Sequence, residues 1–189
     1  MMIYSITLFV HVVSALVLAA AFRLEILTLI HLRKAATPTE ARFVLDLAPG
    51  FPVVAMGSLV LLFLSGGYMT AQASAWSLAW PRVAVGALLL MGPLGAVSGR
   101  KMRAIRSLSA SGHSAASDLM QRLQDPFLLF SVTVRSALVL GIVLLMTAKP
   151  DLTESLEAIG GFAIVGLVAA FVLSRRGMIP PVVNAGSRN

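Results

Sequence analysis

The sequence predicts an all-α fold, a polytopic transmembrane helical bundle with a four-helix core and a fifth C-terminal span. The N-terminus is expected outside and the C-terminus in the cytoplasm. Three observations predict this. Of 189 residues, 58% are apolar and only 12% are charged, about half the charged share of a soluble domain, and mean hydropathy is +0.89. The apolar residues gather into five continuous runs of roughly the 17–25 residues that cross a bilayer as helix. The basic residues fall almost wholly in alternate connections between those runs, the signature of topology. Continuous runs leave no alternating pattern for a β-barrel.

The first run covers residues 3–22 and continues as helix to about residue 32. The second covers 51–70, the third 81–98 and the fourth 126–146. The fifth, 156–173, is the weakest because it holds Gly160, Gly161 and Gly166. Residues 1–150 therefore make the four-helix bundle and 151–177 the added span. Between the third and fourth runs, residues 100–125 form the longest polar stretch. Its start should prolong the third helix, "SASGHSAAS" reads as a flexible link with His113 solvated, and helix should restart from Asp118. Residues 178–189 read as a disordered cytoplasmic tail. "LVLAAAF" offers small residues of the kind found at signal cleavage sites, but no basic residue precedes the first run, so that helix is expected to stay.

Orientation follows from charge. Arg33, Lys34, Arg42, Arg100, Lys101, Arg103, Arg106, Arg122, Arg175, Arg176 and Arg188 lie on one side, against Arg82 and Lys149 on the other. The richer side is cytoplasmic. Tyr4, Tyr68, Trp76 and Trp80 gather at the opposite ends, as an interfacial aromatic belt does. The net charge of +7 is thereby explained without a nucleic-acid partner. The implied partners are the lipid bilayer and a homo-oligomer or larger membrane complex. With no cysteine, disulfides, thiolate metal sites and cysteine nucleophiles are excluded.

Two polar residues inside the runs carry the chemical clues. Arg135 lies nine residues into the fourth run, about 13–14 Å from its cytoplasmic boundary and near the midplane. Thirteen Leu, Ile, Val and Phe residues in that run, at about −0.3 to −0.6 kcal/mol each, outweigh a central arginine at about +2.5 to +3.5. The helix inserts, and the guanidinium still needs a partner or water. Glu25 is the one acid within the first four apolar segments and the helical continuation of the first. Counted from Ile3, however, it falls beyond the cytoplasmic end, about 15–20 Å in depth from Arg135, so a salt bridge is not the favoured expectation. Arg23 is expected to snorkel to the interface.

His11, counted the same way, comes within about 5 Å of the depth of Arg135, so the two are expected to share an interior site. Tyr4, Thr7, His11, Ser14, Ala15, Leu18, Phe22 and Glu25 form one stripe on the first helix, and Leu128, Ser131, Arg135, Val139, Ile142 and Met146 one on the fourth. Ser58, Ser65 and Gln72 recur at heptad spacing, Gly95 and Gly99 make a GxxxG, and Pro93 predicts a kink. His11 reads either as a packed histidine bonded to a carbonyl or hydroxyl, or as a haem or metal ligand. Arg135 reads either as a lock between helices or as an anion clamp for a propionate, carboxylate or lipid phosphate. No metal site is predicted, because the methionines show no clustering beside His11.

"LFVHVVSALVLAAAF", the second run from Pro52 with "LLFLSGGYM", the loop "SAWSLAWPR", "GRKMRAIR" and "LLMTAKP" resemble a family of uncharacterised bacterial integral membrane proteins. That family is similar to the bundles of copper-resistance D-type proteins and of the membrane protoporphyrinogen oxidase that binds haem b. The resemblance covers roughly residues 3–150 and implies the bacterial cytoplasmic (inner) membrane. For the haem-binding relative it implies an axial ligand at His11. The relative's second ligand, a lysine in the third helix, has no counterpart before Lys101, and copper would want a second intramembrane histidine.

The function expected is that of a structural, accessory or small-ligand-binding membrane protein. A haem-b redox protein is the enzyme-class rival, and transport, with His11 relaying protons and Arg135 binding an anion, is a third. Nothing in the sequence supports hydrolysis, for there is no intramembrane acid pair and no serine with a base beside it.

Overall fold

A computed structural model describes residues 2–35, 37–47, 50–110 and 116–176. The described residues form α1 (Met2–Lys34), α2 (Pro38–Asp46), α3 (Phe51–Gln72), a 3-10 turn (Ala75–Ser77), α4 (Ala79–Ala110), α5 (Ala116–Leu123), α6 (Pro126–Ala148) and α7 (Leu152–Arg176), with no strand among them. α1, α3, α4, α6 and α7 are long and apolar enough to cross a membrane, as expected of a multi-pass membrane protein. His113 and the tail at 178–189 lie outside the described residues.

α6 is the hub, packed against α1, α4 and α7. In its most apolar window 67% of residues are buried, against 11–22% in the other four spans. That is why its sequence is apolar all round rather than on one stripe: Leu129, Val132 and Leu138 are as buried as Leu128 and Ser131. Asp125 opens the helix by accepting a hydrogen bond from the Phe127 N–H at 2.9 Å, with Pro126 in the first turn, where its missing N–H costs nothing. Lys149 closes it in the left-handed region at φ 52°, and Pro150 cannot continue it. Asp151 then caps α7 by accepting from the Glu154 N–H at 2.9 Å.

The tight turn folds α7 back onto α6, and two glycines let the backbones approach. A Cβ at Gly166 would sit 2.9 Å from the Cα of Val134, and one at Gly141 would meet Ile159 and Phe162. Gly160 and Gly161 face open space. Of the three glycines that dilute the fifth run, one is therefore a helix contact.

α2 is an element the sequence reading passed over. Its signal was present in "TPTE": Thr37 accepts from the Glu40 N–H at 3.3 Å, Pro38 stands in the first turn, and Glu40 occupies the capping-box position. α2 buries Ala41 and Leu45 against α1, α4 and α5.

At the basic end, polar contacts fix how the long helices stand against one another. Arg33 donates through Nη2 to the Asp125 carbonyl at 2.7 Å, and Gln124 Nε2 returns a bond to the Arg33 carbonyl at 3.2 Å. Lys101 of α4 pairs with the Asp125 carboxylate and lies 4.8 Å from the Phe127 ring centroid. Asp125→Ala removes the cap and the pair together, and is expected to lower stability by about 1–2 kcal/mol. Asp125→Asn, which can still cap, should fall between that variant and the parent in thermal unfolding in mild detergent. At the opposite end, Arg82 donates to the Trp76 and Ser77 carbonyls of the 3-10 turn, giving this exception to the charge bias a structural use.

Candidate functional site

Arg135 is buried, and its charge is matched inside the bundle. Nη2 donates to Glu25 Oε1 at 2.9 Å, Nε donates to the Ser131 carbonyl at 3.1 Å, and the guanidinium stands 4.9 Å from the Phe22 ring centroid. The side chains of Arg135 and Glu25 are 8% and 21% exposed. This corrects the expectation that depth keeps Glu25 away from Arg135. α1 has 33 residues, about 50 Å of helix, against a hydrocarbon core of about 30 Å, so its apolar length does not say which part lies at which depth. Register is fixed from the other end, where Arg33 meets Asp125. Glu25 lies eight residues before Arg33 and Arg135 ten after Asp125, which brings both about 12–15 Å in from the same layer.

His11 stands elsewhere. Its Nδ1 is 2.9 Å from Ser65 Oγ, and the Ser65 hydroxyl donates to the Leu61 carbonyl, so the imidazole N–H is the donor in the first bond. A Cβ at Gly66 would lie 3.2 Å from His11 Cε1, so glycine there makes room for the ring. His11 precedes Glu25 by fourteen residues, about 21 Å along α1. The structure does not bring His11 and Arg135 together, and a haem with its iron on the first and a propionate on the second does not match this geometry. The error has the same origin, a depth counted from Ile3. Among the described residues, no group of three or more His, Cys, Asp or Glu side chains is placed to hold a metal. His11→Phe is expected to cost about 1 kcal/mol, one neutral hydrogen bond, in detergent unfolding and to leave the Arg135 region unchanged.

Beside the ion pair a cleft opens between α1, the N-terminal half of α3 and the C-terminal half of α4, and Arg135 reaches in from α6. Its empty space is about 800 Å³, most of it open to the surroundings, with an enclosed cavity volume of about 80 Å³. Leu18, Phe22, Leu59 and Met91 give it apolar walls. Met56 and Pro52, which also line it, are exposed, so the cleft is open along α3. In a bilayer that side meets lipid.

The α4 wall carries small residues at its centre, between Met91 and the pair Met102 and Arg106. Met91, Gly92, Gly95, Ser98, Gly99 and Met102 follow one helical face. The GxxxG expected to pack helices instead borders the cleft: a Cβ at Gly95 would lie 3.4 Å from Arg135 Nη1, Gly99 meets only Arg103 of its own helix, and Gly92 faces open space. α4 continues as helix through Pro93, and Ser131 of α6 donates to its Leu94 carbonyl at 3.0 Å. Ser98 is 4% exposed, and its Oγ has no hydrogen-bond partner among the described residues. Sequence reasoning missed Ser98, although its spacing with Gly95 and Gly99 was a legible sign of a small, polar face.

Five polar side chains thus border one apolar cleft: the Glu25–Arg135 pair, Thr28, Arg106 and the buried Ser98 hydroxyl. The arrangement can bind, and it can orient a polar group on an apolar body. Comparison with protein-family models, with curated proteins and with solved structures finds no match to this chain.

Proposed function

We propose that the chain is a multi-pass protein of the bacterial cytoplasmic membrane, with its N-terminus outside, that binds a small amphiphilic ligand drawn from the bilayer. The observation that carries this reading is the buried Ser98 hydroxyl, without a hydrogen-bond partner among the described residues, in the wall of a cleft that also holds Arg135 and Glu25. Buried hydroxyls are ordinarily bonded, because leaving one unmatched costs about 1–3 kcal/mol. A ligand atom in the cleft would remove that cost. The side opening along α3 supports entry from lipid rather than from water. The charge bias of the connections supports the orientation.

The test is to fill the cleft. Gly92 lines it and has nothing within 4 Å of a would-be Cβ, so Gly92→Phe is expected to occupy the space while keeping the fold. Lipids co-purifying with the parent in mild detergent, compared by mass spectrometry with those of Gly92→Phe, should include a species depleted in the variant. Identical lipid profiles from two equally folded preparations would refute ligand binding in the cleft.

A further inference from the structure

We infer that the ligand is an anionic phospholipid of the cytoplasmic leaflet, with its phosphate at Arg106 and its glycerol esters at the level of Ser98. The inference rests on the cleft being a binding site and adds the chemistry of its occupant. Shape is the first reason. Along α4 the lining runs from Met91 to Arg106, fifteen residues on, which is about 22 Å of helix and close to the depth of one leaflet with its headgroups. Only about 80 Å³ of the cleft is enclosed, so it takes one flank of a lipid and leaves the rest in the bilayer.

Polarity runs along the cleft as it runs along a lipid of that leaflet. Leu18, Leu59 and Met91 line the deep end, and Arg106 stands at the shallow end, five residues beyond Lys101, which pairs with Asp125 in the layer of Arg33. Helical side chains lean toward the helix N-terminus, which carries the Arg106 guanidinium back toward that layer. Charge favours an anion there. The stretches 33–46 and 100–125 at this end hold eight Lys and Arg against four Asp and Glu, whereas the deeper Arg135 is already matched by Glu25 at 2.9 Å. A guanidinium presents five N–H donors in a planar fork, so Arg106 can hold phosphate oxygens beside its contacts within the protein. Ser98 lies about two turns deeper on the same wall, its hydroxyl buried and without a partner among the described residues. An ester oxygen accepts from such a hydroxyl and brings no charge to a level beside a matched ion pair.

The experiment uses the full chain in phosphatidylcholine nanodiscs with a trace of diazirine-tailed phosphatidylglycerol as photoprobe, labelled peptides being mapped by mass spectrometry. Labelling is expected on the cleft-lining parts of α1, α3 and α4. Unlabelled phosphatidylglycerol should compete at about tenfold lower mole fraction than diacylglycerol with the same chains, a difference of about 1.4 kcal/mol. Arg106→Gln should remove most of that preference and Arg106→Lys should keep part of it. Ser98→Ala should weaken competition by both lipids alike, and Gly92→Phe should abolish labelling at the cleft. Equal competition by diacylglycerol, or an unchanged preference in folded Arg106→Gln, overturns the anionic head at Arg106 while leaving the cleft a binding site. If parent and Gly92→Phe, both folded by size-exclusion chromatography, are labelled alike, the cleft reading falls as well.

Discussion

Glu25→Leu is expected to lower the stability of the folded bundle by about 3–5 kcal/mol, because it leaves the Arg135 charge buried without its counter-ion. Arg135 has two other contacts, the Ser131 carbonyl and the Phe22 ring, and neither carries a charge. The double variant Glu25→Leu with Arg135→Leu should recover most of the loss, since apolar replacement of a whole buried pair is often neutral or better. Thermal unfolding in mild detergent, run on the parent, both single variants and the double, closes the cycle. Near-parental stability of Glu25→Leu would mean that water or lipid satisfies the guanidinium and that the pair is not what holds α1 to α6. The double variant also separates fold from site. It should remain folded and lose binding in the cleft, because the donor and acceptor go together.

The second large effect is expected at Gly166. Alanine there places a methyl group 2.9 Å from a backbone atom of Val134 and 3.0 Å from the Cβ of Ala137, on the helix most buried in the bundle. Backbone cannot rotate away as a side-chain tip can, so α7 must shift outward. A cost of about 1–3 kcal/mol follows for Gly166→Ala, and a larger one for Gly166→Leu. Gly160→Ala and Gly161→Ala are the controls: both positions face open space, and alanine there should be neutral or stabilising by up to about 1 kcal/mol. Equal unfolding temperatures for Gly166→Ala and Gly161→Ala would refute the close contact between α6 and α7.

Depth counting and the resemblance both directed attention to His11, and the geometry directs it to Glu25, Ser98 and Arg135. His11 is bonded to Ser65 and fitted against Gly66, an arrangement that a packed histidine needs for itself. Arg135 was legible as a candidate, because a charge in an apolar run is hard to miss. Its partner was misjudged and its neighbour Ser98 was passed over. Serine is common in apolar helices and becomes informative only once its hydroxyl is seen to lack a bond.

What the sequence by itself determined was the set of spans, their alternating directions and the helices that end and restart in the polar connection between α4 and α6. Those are one-dimensional properties. A bilayer demands about 20 apolar residues per crossing and that every backbone group be bonded within its own helix, so hydropathy along the chain answers both. The capping box that starts α2 was of the same local kind, four residues in a row, and was there to be read. Only the tertiary structure decided which residues meet. An apolar helix longer than the bilayer is thick can slide by several turns at little cost, because every level of it is equally apolar. The level at which α1 stands beside α6 was set by the bonds between Arg33 and the Gln124–Asp125 corner, residues more than ninety positions apart. Those few polar contacts carried Glu25 to Arg135 and took His11 away from it.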